Sequence, residues 1–114
     1  MICASRDAST VEFHMTTITW RRGSVDPLVF QPVQADGTPA PLDGLAMQLR
    51  VQAGSACIPL DGVATGAGAD AGFDVSLMPL IDLPPRVYRA SEYYDAGTGW
   101  RWVADHVLNI EGGC

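Results

Sequence analysis

Two acidic residues, Glu92 and Asp95, flank the pair Tyr93-Tyr94 and are the first candidates for acid–base chemistry. A glycosidase works with two carboxyl groups, one as the acid and the other as base or nucleophile. Acidic residues at the end of a strand are usually solvated, so we expect no such activity. A pocket that brings His106 together with Glu92 or Asp95 would argue for an enzyme instead.

The other metal-binding and nucleophilic residue types lack the spacing that their chemistry requires. The two histidines, His14 and His106, and the three cysteines, Cys3, Cys57 and Cys114, form no CxxC, HxH or HExxH motif, so we expect no zinc site. His106 is in register with the apolar face of the last predicted strand, which favours a core or rim position. Cysteines that are few, widely separated and odd in number argue against a disulfide framework and fit a reducing cytoplasm.

A glycine-rich stretch, residues 66–72, has the spacing GxGxxxG, one residue away from the dinucleotide-binding fingerprint. The next run alternates as a strand, so no helix N-terminus follows to bind a phosphate. Asp61, Asp70 and Asp74 could offer oxygen ligands to calcium, but calcium loops have denser acidic spacing. We interpret residues 64–72 as a flexible solvated loop and predict no catalytic residue, metal site or cofactor.

Alternation of apolar and polar residues with a period of two predicts four half-buried strands, at residues 17–21, 45–51, 73–77 and 100–111. Three further strands are predicted at residues 28–33, 56–63 and 86–94. Pro27 and Pro32 favour an edge or a bulge for the first of these. No apolar stripe of helical period is present. About seven short strands separated by turns predict an all-β fold, a single antiparallel immunoglobulin-like β-sandwich.

The predicted sandwich covers residues 16–114, and residues 1–15 form an N-terminal extension. Such an arm would order only against a neighbouring subunit; otherwise it is a passive tail. The arm includes Arg6, Asp7 and Glu12 and has no continuous apolar region, so it is not a signal peptide. No stretch approaches the roughly 20 apolar residues of a membrane span.

The aromatic residues and arginines are the candidates for a protein interface. Trp20 and at least one of Trp100 and Trp102, which share a face, are predicted core residues. Tyr93 and Tyr94 point to opposite faces, so one of them should be exposed. The interface candidates are Arg21, Arg22, Tyr93, Tyr94, Arg101 and His14.

All seven basic residues are arginines, and thirteen Asp and Glu residues give the chain a formal net charge of -6. A surface with this excess of negative charge repels phosphate backbones, so we expect no nucleic-acid partner.

Strands and turns follow one another in a characteristic order at residues 18–23, 28–30, 35–39, 42–44, 45–51, 73–77 and, after a Leu-Pro-Pro turn, 87–88. This order resembles the small immunoglobulin-like modules of tailed-phage virions, as found at the N-terminus of baseplate upper proteins. The resemblance implies a structural role, symmetric assembly in many copies and no catalysis.

The expected function is therefore that of a virion structural protein of the tail, baseplate or fibre-attachment region, assembled in the host cytoplasm from contacts with other virion proteins. A capsid-decoration or head–tail joining protein is the alternative within the same class. A glycan-binding β-sandwich module is the alternative from a different class, and it predicts Trp100 or Trp102 in an exposed groove.

Overall fold

A computed structural model describes residues 16–33, 38, 40–66 and 71–112. The strands are β1 (Thr16–Arg21), β2 (Leu28–Phe30), β3 (Ala46–Ala53), β4 (Ala56–Asp61), β5 (Val63–Thr65), β6 (Gly72–Val75), β7 (Val87–Asp95) and β8 (Trp100–Glu111). One turn of 3₁₀ helix, Met78–Leu80, precedes β7. The described residues contain no α-helix, and the predicted all-β class is confirmed.

The strands form two sheets. The larger has the order β1-β8-β7-β3-β4 and the smaller the order β2-β6-β5. β1 pairs with β8 in parallel, whereas every other described pair is antiparallel. The prediction of a purely antiparallel fold is therefore wrong. Parallel neighbours need a long crossover, and here the whole domain between β1 and β8 provides it.

The buried apolar side chains of both sheets form one core. β3 shows how the alternation builds it, because Met47, Leu49 and Val51 are buried on one face while Gln48 and Gln52 lie on the other. The remaining core residues are Trp20, Phe30, Leu60, Phe73, Val75, Leu77, Leu80, Tyr88, Ala90, Tyr94, Leu108 and Ile110. Trp20 is thus a core residue, as predicted.

A bulge in β8 reverses which face its side chains occupy. Glu92 pairs with Ala104 but Tyr93 pairs with Trp102, which leaves Val103 as an extra residue. An extra residue changes the phase of the alternation. Residues after the bulge, such as Leu108, therefore face the core, while Trp100 and Trp102 face outward. The prediction that one of these two tryptophans is a core residue is wrong for this reason.

The chain crosses from the larger to the smaller sheet at Gly62, the single residue between β4 and β5. A Cβ at this position would lie 2.8 Å from Met47 Sδ and 3.1 Å from Phe73 Cβ, so only glycine fits without a shift. β5 and the start of β6 occupy both ends of the stretch that the sequence indicated as a loop. Residues 67–70 lie outside the described residues.

Candidate functional site

A chain of hydrogen bonds links three polar side chains on the inner face of β7 and β8. Glu92 Oε1 lies 2.8 Å from His106 Nε2, and Glu92 Oε2 accepts a hydrogen bond from the Tyr94 hydroxyl. All three residues are buried. Burial raises the pKa of Tyr94 above its usual value, and the hydrogen bond to Glu92 and the charge of Glu92 raise it further. The sheet-to-sheet interface therefore contains a polar cluster inside an apolar core.

Two neighbouring clefts open beside this cluster. The first, of about 300 Å³, runs between β1 and β2 and has Glu92 and His106 in its wall; its other lining residues are Thr16, Ile18, Leu28, Val29, Phe30 and Gln31. The second, of about 290 Å³, shares Gln31 and Glu92 with the first and also reaches Tyr94. His106 Nδ1 is buried and has no hydrogen-bond partner in the described part of the chain. The Phe30 ring centroid lies 5.6 Å from that of His106.

The structure thus brings His106 together with Glu92, the arrangement that would argue for an enzyme. Both carboxylate oxygens of Glu92 already have partners, and no hydrogen bond joins His106 to Thr16, the hydroxyl-bearing residue of the first cleft. Nucleophilic catalysis needs a nucleophile bonded to its base. Asp95 lies apart from the cluster, where its Oδ1 accepts hydrogen bonds from the backbone N–H groups of Gly97 and Gly99.

A second polar cluster occupies the outer face of the same two strands. Asp105 Oδ1 accepts hydrogen bonds from Ser91 Oγ at 2.6 Å and from Trp102 Nε1 at 2.8 Å. These donors satisfy a buried carboxylate, which would otherwise be costly. Ser91 therefore lies on the opposite side of the sheet from His106, and the two cannot act together.

Arg50, at the centre of β3, lies across the outer face of the larger sheet. Its guanidinium carbon is 4.0 Å from the Tyr93 ring centroid and 5.6 Å from that of Trp100. Its Nε donates to Gln48 Oε1 at 2.8 Å, and Gln48 Nε2 donates to Asp61 Oδ1 at 3.0 Å. The sequence predicted the half-buried strand that contains Arg50 but not this cluster; the signal was a single arginine in the middle of that strand.

The predicted interface residues that the structure describes differ in exposure. Arg21 in β1 and Arg101 in β8 are exposed. Arg22 is half-buried, and its Nε donates a hydrogen bond to the backbone oxygen of Ile81. Tyr93 and Tyr94 do face opposite sides, but both are buried, so the prediction that one of them is exposed is wrong. His14 and the predicted arm, residues 1–15, lie outside the described residues, and their roles stay predictions.

The candidate calcium ligands are separated in the fold. Asp61 belongs to the larger sheet and Asp74 to the smaller one, while Asp70 lies outside the described residues. Within the ranges that the structure describes, no three His, Cys, Asp or Glu side chains gather closely enough to hold a metal ion. Cys57 in β4 is disulfide-bonded, a bond that the spacing of the cysteines did not predict.

Comparison with known proteins adds a likeness of fold. No protein-family model and no curated protein matches the sequence. The N-terminal domain of phage TP901-1 ORF48 has a similar structure, with a TM-score of 0.55, 16% sequence identity and coverage of 90% of this chain and 92% of that chain. None of the described helical residues forms a segment long and apolar enough to span a membrane. The chain therefore shares the fold of a phage protein domain along almost its whole length.

Proposed function

We propose that this chain is a non-enzymatic structural protein of a tailed-phage virion, located in the tail, baseplate or fibre-attachment region. The observation that carries the proposal is the likeness of fold to a phage domain over nine-tenths of both chains. The sequence resemblance to the N-terminal modules of baseplate upper proteins supports the same function independently. The partners are other virion structural proteins, and assembly takes place in the host cytoplasm.

The fold within this proposal is an immunoglobulin-like sandwich of the variable type. That architecture adds strand C′ to the sheet of strands G, F and C, and puts strands B, E and D in the other sheet. The orders β8-β7-β3-β4 and β2-β6-β5 support the assignment, because β2 to β8 then correspond to B, C, C′, D, E, F and G in chain order.

A hydrogen bond near the start of β7 supports the same assignment. Tyr88, the second residue of β7, donates its hydroxyl to the backbone oxygen of Pro84 at 2.7 Å, four residues upstream. A tyrosine at the start of strand F that binds backbone a few residues upstream is a feature of immunoglobulin-type sandwiches. Ala90, two residues later, is fully buried in the core.

The geometry of the inner cluster supports a structural role rather than catalysis. Glu92 holds two neighbours, His106 and Tyr94, in fixed positions where the two sheets meet. Buried polar networks whose members are largely satisfied specify one arrangement of a core. We therefore assign this cluster to the alignment of the sheets.

Free strand edges and exposed apolar residues support assembly through protein contacts. Among the described strands, β2 and β5 are the edges of the smaller sheet. Val29 of β2 and Val63 of β5 both pair with Asp74, so they share one row of that sheet, and both are more than half exposed. Exposed edges and apolar side chains are sites where other chains add strands or pack.

The direct test is the protein content of particles made by the genome that encodes the chain. Tails and heads are separated, and each fraction is analysed by quantitative mass spectrometry against its major structural protein. We expect several copies of the chain per tail. Its presence in the head fraction alone would favour capsid decoration or head–tail joining, and its absence from particles that are otherwise complete would refute the virion role.

One observation favours the glycan-binding alternative. Trp100 is 39% exposed on the outer face, as that alternative requires of Trp100 or Trp102. Acrylamide quenching of tryptophan fluorescence, measured with and without soluble host cell-wall oligosaccharides, separates the two functions. The structural proposal expects no protection by the oligosaccharides, whereas protection that is lost in Trp100→Phe would establish the glycan-binding site.

A further inference from the structure

The outer face of the larger sheet presents an arginine that forms no ion pair with the described carboxylates. Arg50 is 91% buried, yet none of the described acidic residues forms an ion pair with it. Among the described residues its side chain makes one hydrogen bond, from Nε, and both terminal guanidinium nitrogens keep contact with solvent. A charge removed this far from water is costly unless it is paired.

The surroundings of Arg50 hold its guanidinium in one orientation. The Tyr93 ring packs against one side of it at 4.0 Å, and Gln48 fixes Nε at 2.8 Å. The unbonded edge of a guanidinium is a fork of N–H donors that matches a carboxylate. Because the fork is already oriented, a carboxylate that binds it loses little free energy to ordering the side chain.

The same face also supplies a carboxylate. Asp61 in β4 is exposed and accepts a hydrogen bond from Gln48, so Gln48 stands between the cation and the anion. Asp61 and Arg50 therefore share the outer face, with Gln48 between them, and do not form an ion pair. A face with neighbouring charges of opposite sign is complementary to itself under a two-fold rotation.

We propose that two copies of this chain associate across this face, with Arg50 of each copy bound to Asp61 of the other. The contact is isologous, and Trp100, which is partly exposed beside Arg50, packs within it. The inference rests on the proposed function, since it names a second copy as one of the partners through which the virion protein assembles.

The test uses the full chain and complementary charge reversals. Sedimentation velocity of the wild-type chain should show a dimer whose dissociation constant rises between about 0.05 M and about 0.5 M salt, because the ion pairs are screened. Arg50→Asp alone and Asp61→Arg alone should each raise the dissociation constant at least about tenfold, since each sets like charges against each other. An equal mixture of the two variants should dimerise again, because the mixed dimer has two ion pairs, one as in the wild type and one with its signs exchanged.

Two reversals outside the strands of this face are the matched controls. Arg86→Asp, just before β7, and Asp82→Arg, both at exposed positions, change the net charge by the same amounts and should leave the dimer intact. Circular dichroism checks the fold of each variant. If Arg50→Asp does not fold, Arg50→Gln takes its place for the loss of dimer, and Asp61→Arg, at an exposed position, tests the other half of the pair.

A wild-type chain that stays monomeric at all concentrations would overturn the proposal, as would folded variants that dimerise like wild type or whose mixture fails to recover. These outcomes concern only the contact between copies. The mass spectrometry of particles decides the virion role separately, so the failure of one proposal is distinguishable from the failure of the other.

Discussion

Replacing Tyr94 by phenylalanine should change how the stability of the protein depends on pH in alkaline solution. The pKa of Tyr94 is raised in the folded protein, chiefly by burial and then by Glu92. An unfolded chain releases a tyrosine proton near pH 10, whereas folded Tyr94 keeps it well above that pH. The unfolded state therefore binds fewer protons above about pH 10, and the free energy of unfolding falls as the pH rises. Below about pH 10 both states keep the tyrosine proton, so the stabilising contribution of Tyr94 is present in full.

The size of the effect follows from one proton. Each pH unit above about 10 removes at most about 1.4 kcal/mol from the free energy of unfolding of the wild-type protein. The Tyr94→Phe variant has no phenol at this position, so its free energy of unfolding should not show this decrease with pH. At pH 8 the variant should be less stable by about 1.5–3 kcal/mol, because it loses a hydrogen bond to a carboxylate. The two stabilities should then approach each other by roughly 2 kcal/mol between about pH 10 and about pH 11.5.

Urea unfolding followed by circular dichroism between pH 8 and pH 11.5 measures both quantities. The chain has no lysine, so few other side chains titrate in this interval. Tyr93→Phe is the matched control, because it removes the neighbouring hydroxyl from the outer face and should keep the wild-type fall. Parallel curves for the wild type and Tyr94→Phe would refute the role assigned to the buried hydroxyl.

Three further perturbations test the packing and the covalent structure. Trp20→Ala should cost roughly 3–5 kcal/mol of unfolding free energy in urea, and a loss below about 1 kcal/mol would contradict its place in the core. Gly62→Ala should cost about 1–3 kcal/mol in the same assay, because the new methyl group meets Met47. Gly112→Ala is the control: the nearest atom to its new methyl group would be 3.5 Å away, and stability should change by less than about 0.5 kcal/mol. Thiol titration of protein that has been unfolded without reductant should find one free thiol, because one disulfide uses two of the three cysteines. Three free thiols would contradict the bond at Cys57.

Alternation in the sequence predicted most strands because burial on one face of a sheet leaves a period of two. The core positions of β3 follow directly from that rule. Pro27 and Pro32 favoured an edge or a bulge because proline donates no hydrogen bond to a neighbouring strand, and β2 lies at the edge of its sheet. The bulge at Val103 was not visible, because an extra residue is recognised only against the strand that it pairs with. The faces of Trp100 and Trp102 were therefore misassigned although the strand itself was predicted.

The candidate sites were less predictable than the fold. The contact between Glu92 and His106 depends on the register of β7 with β8, and neither residue carries that information alone. The parallel partner of β1 lies at the other end of the chain, beyond any local pattern. The cluster around Arg50 likewise joins β3, β4, β7 and β8. The contact between Glu92 and His106, the partner of β1 and the cluster around Arg50 are all decided by the pairing of distant strands rather than by residue type.

The parallel pairing of β1 with β8 has a mechanical consequence. Thr16 lies beside His106 and Arg21 beside Glu111, so the polypeptide enters at one end of this pair and leaves at the other. Tension between Thr16 and Glu111 would pull the two strands lengthwise past each other. The backbone hydrogen bonds at the six paired positions would then bear the force together, in shear, instead of breaking one after another. A domain connected in this way withstands stretching along its own axis better than peeling from one side.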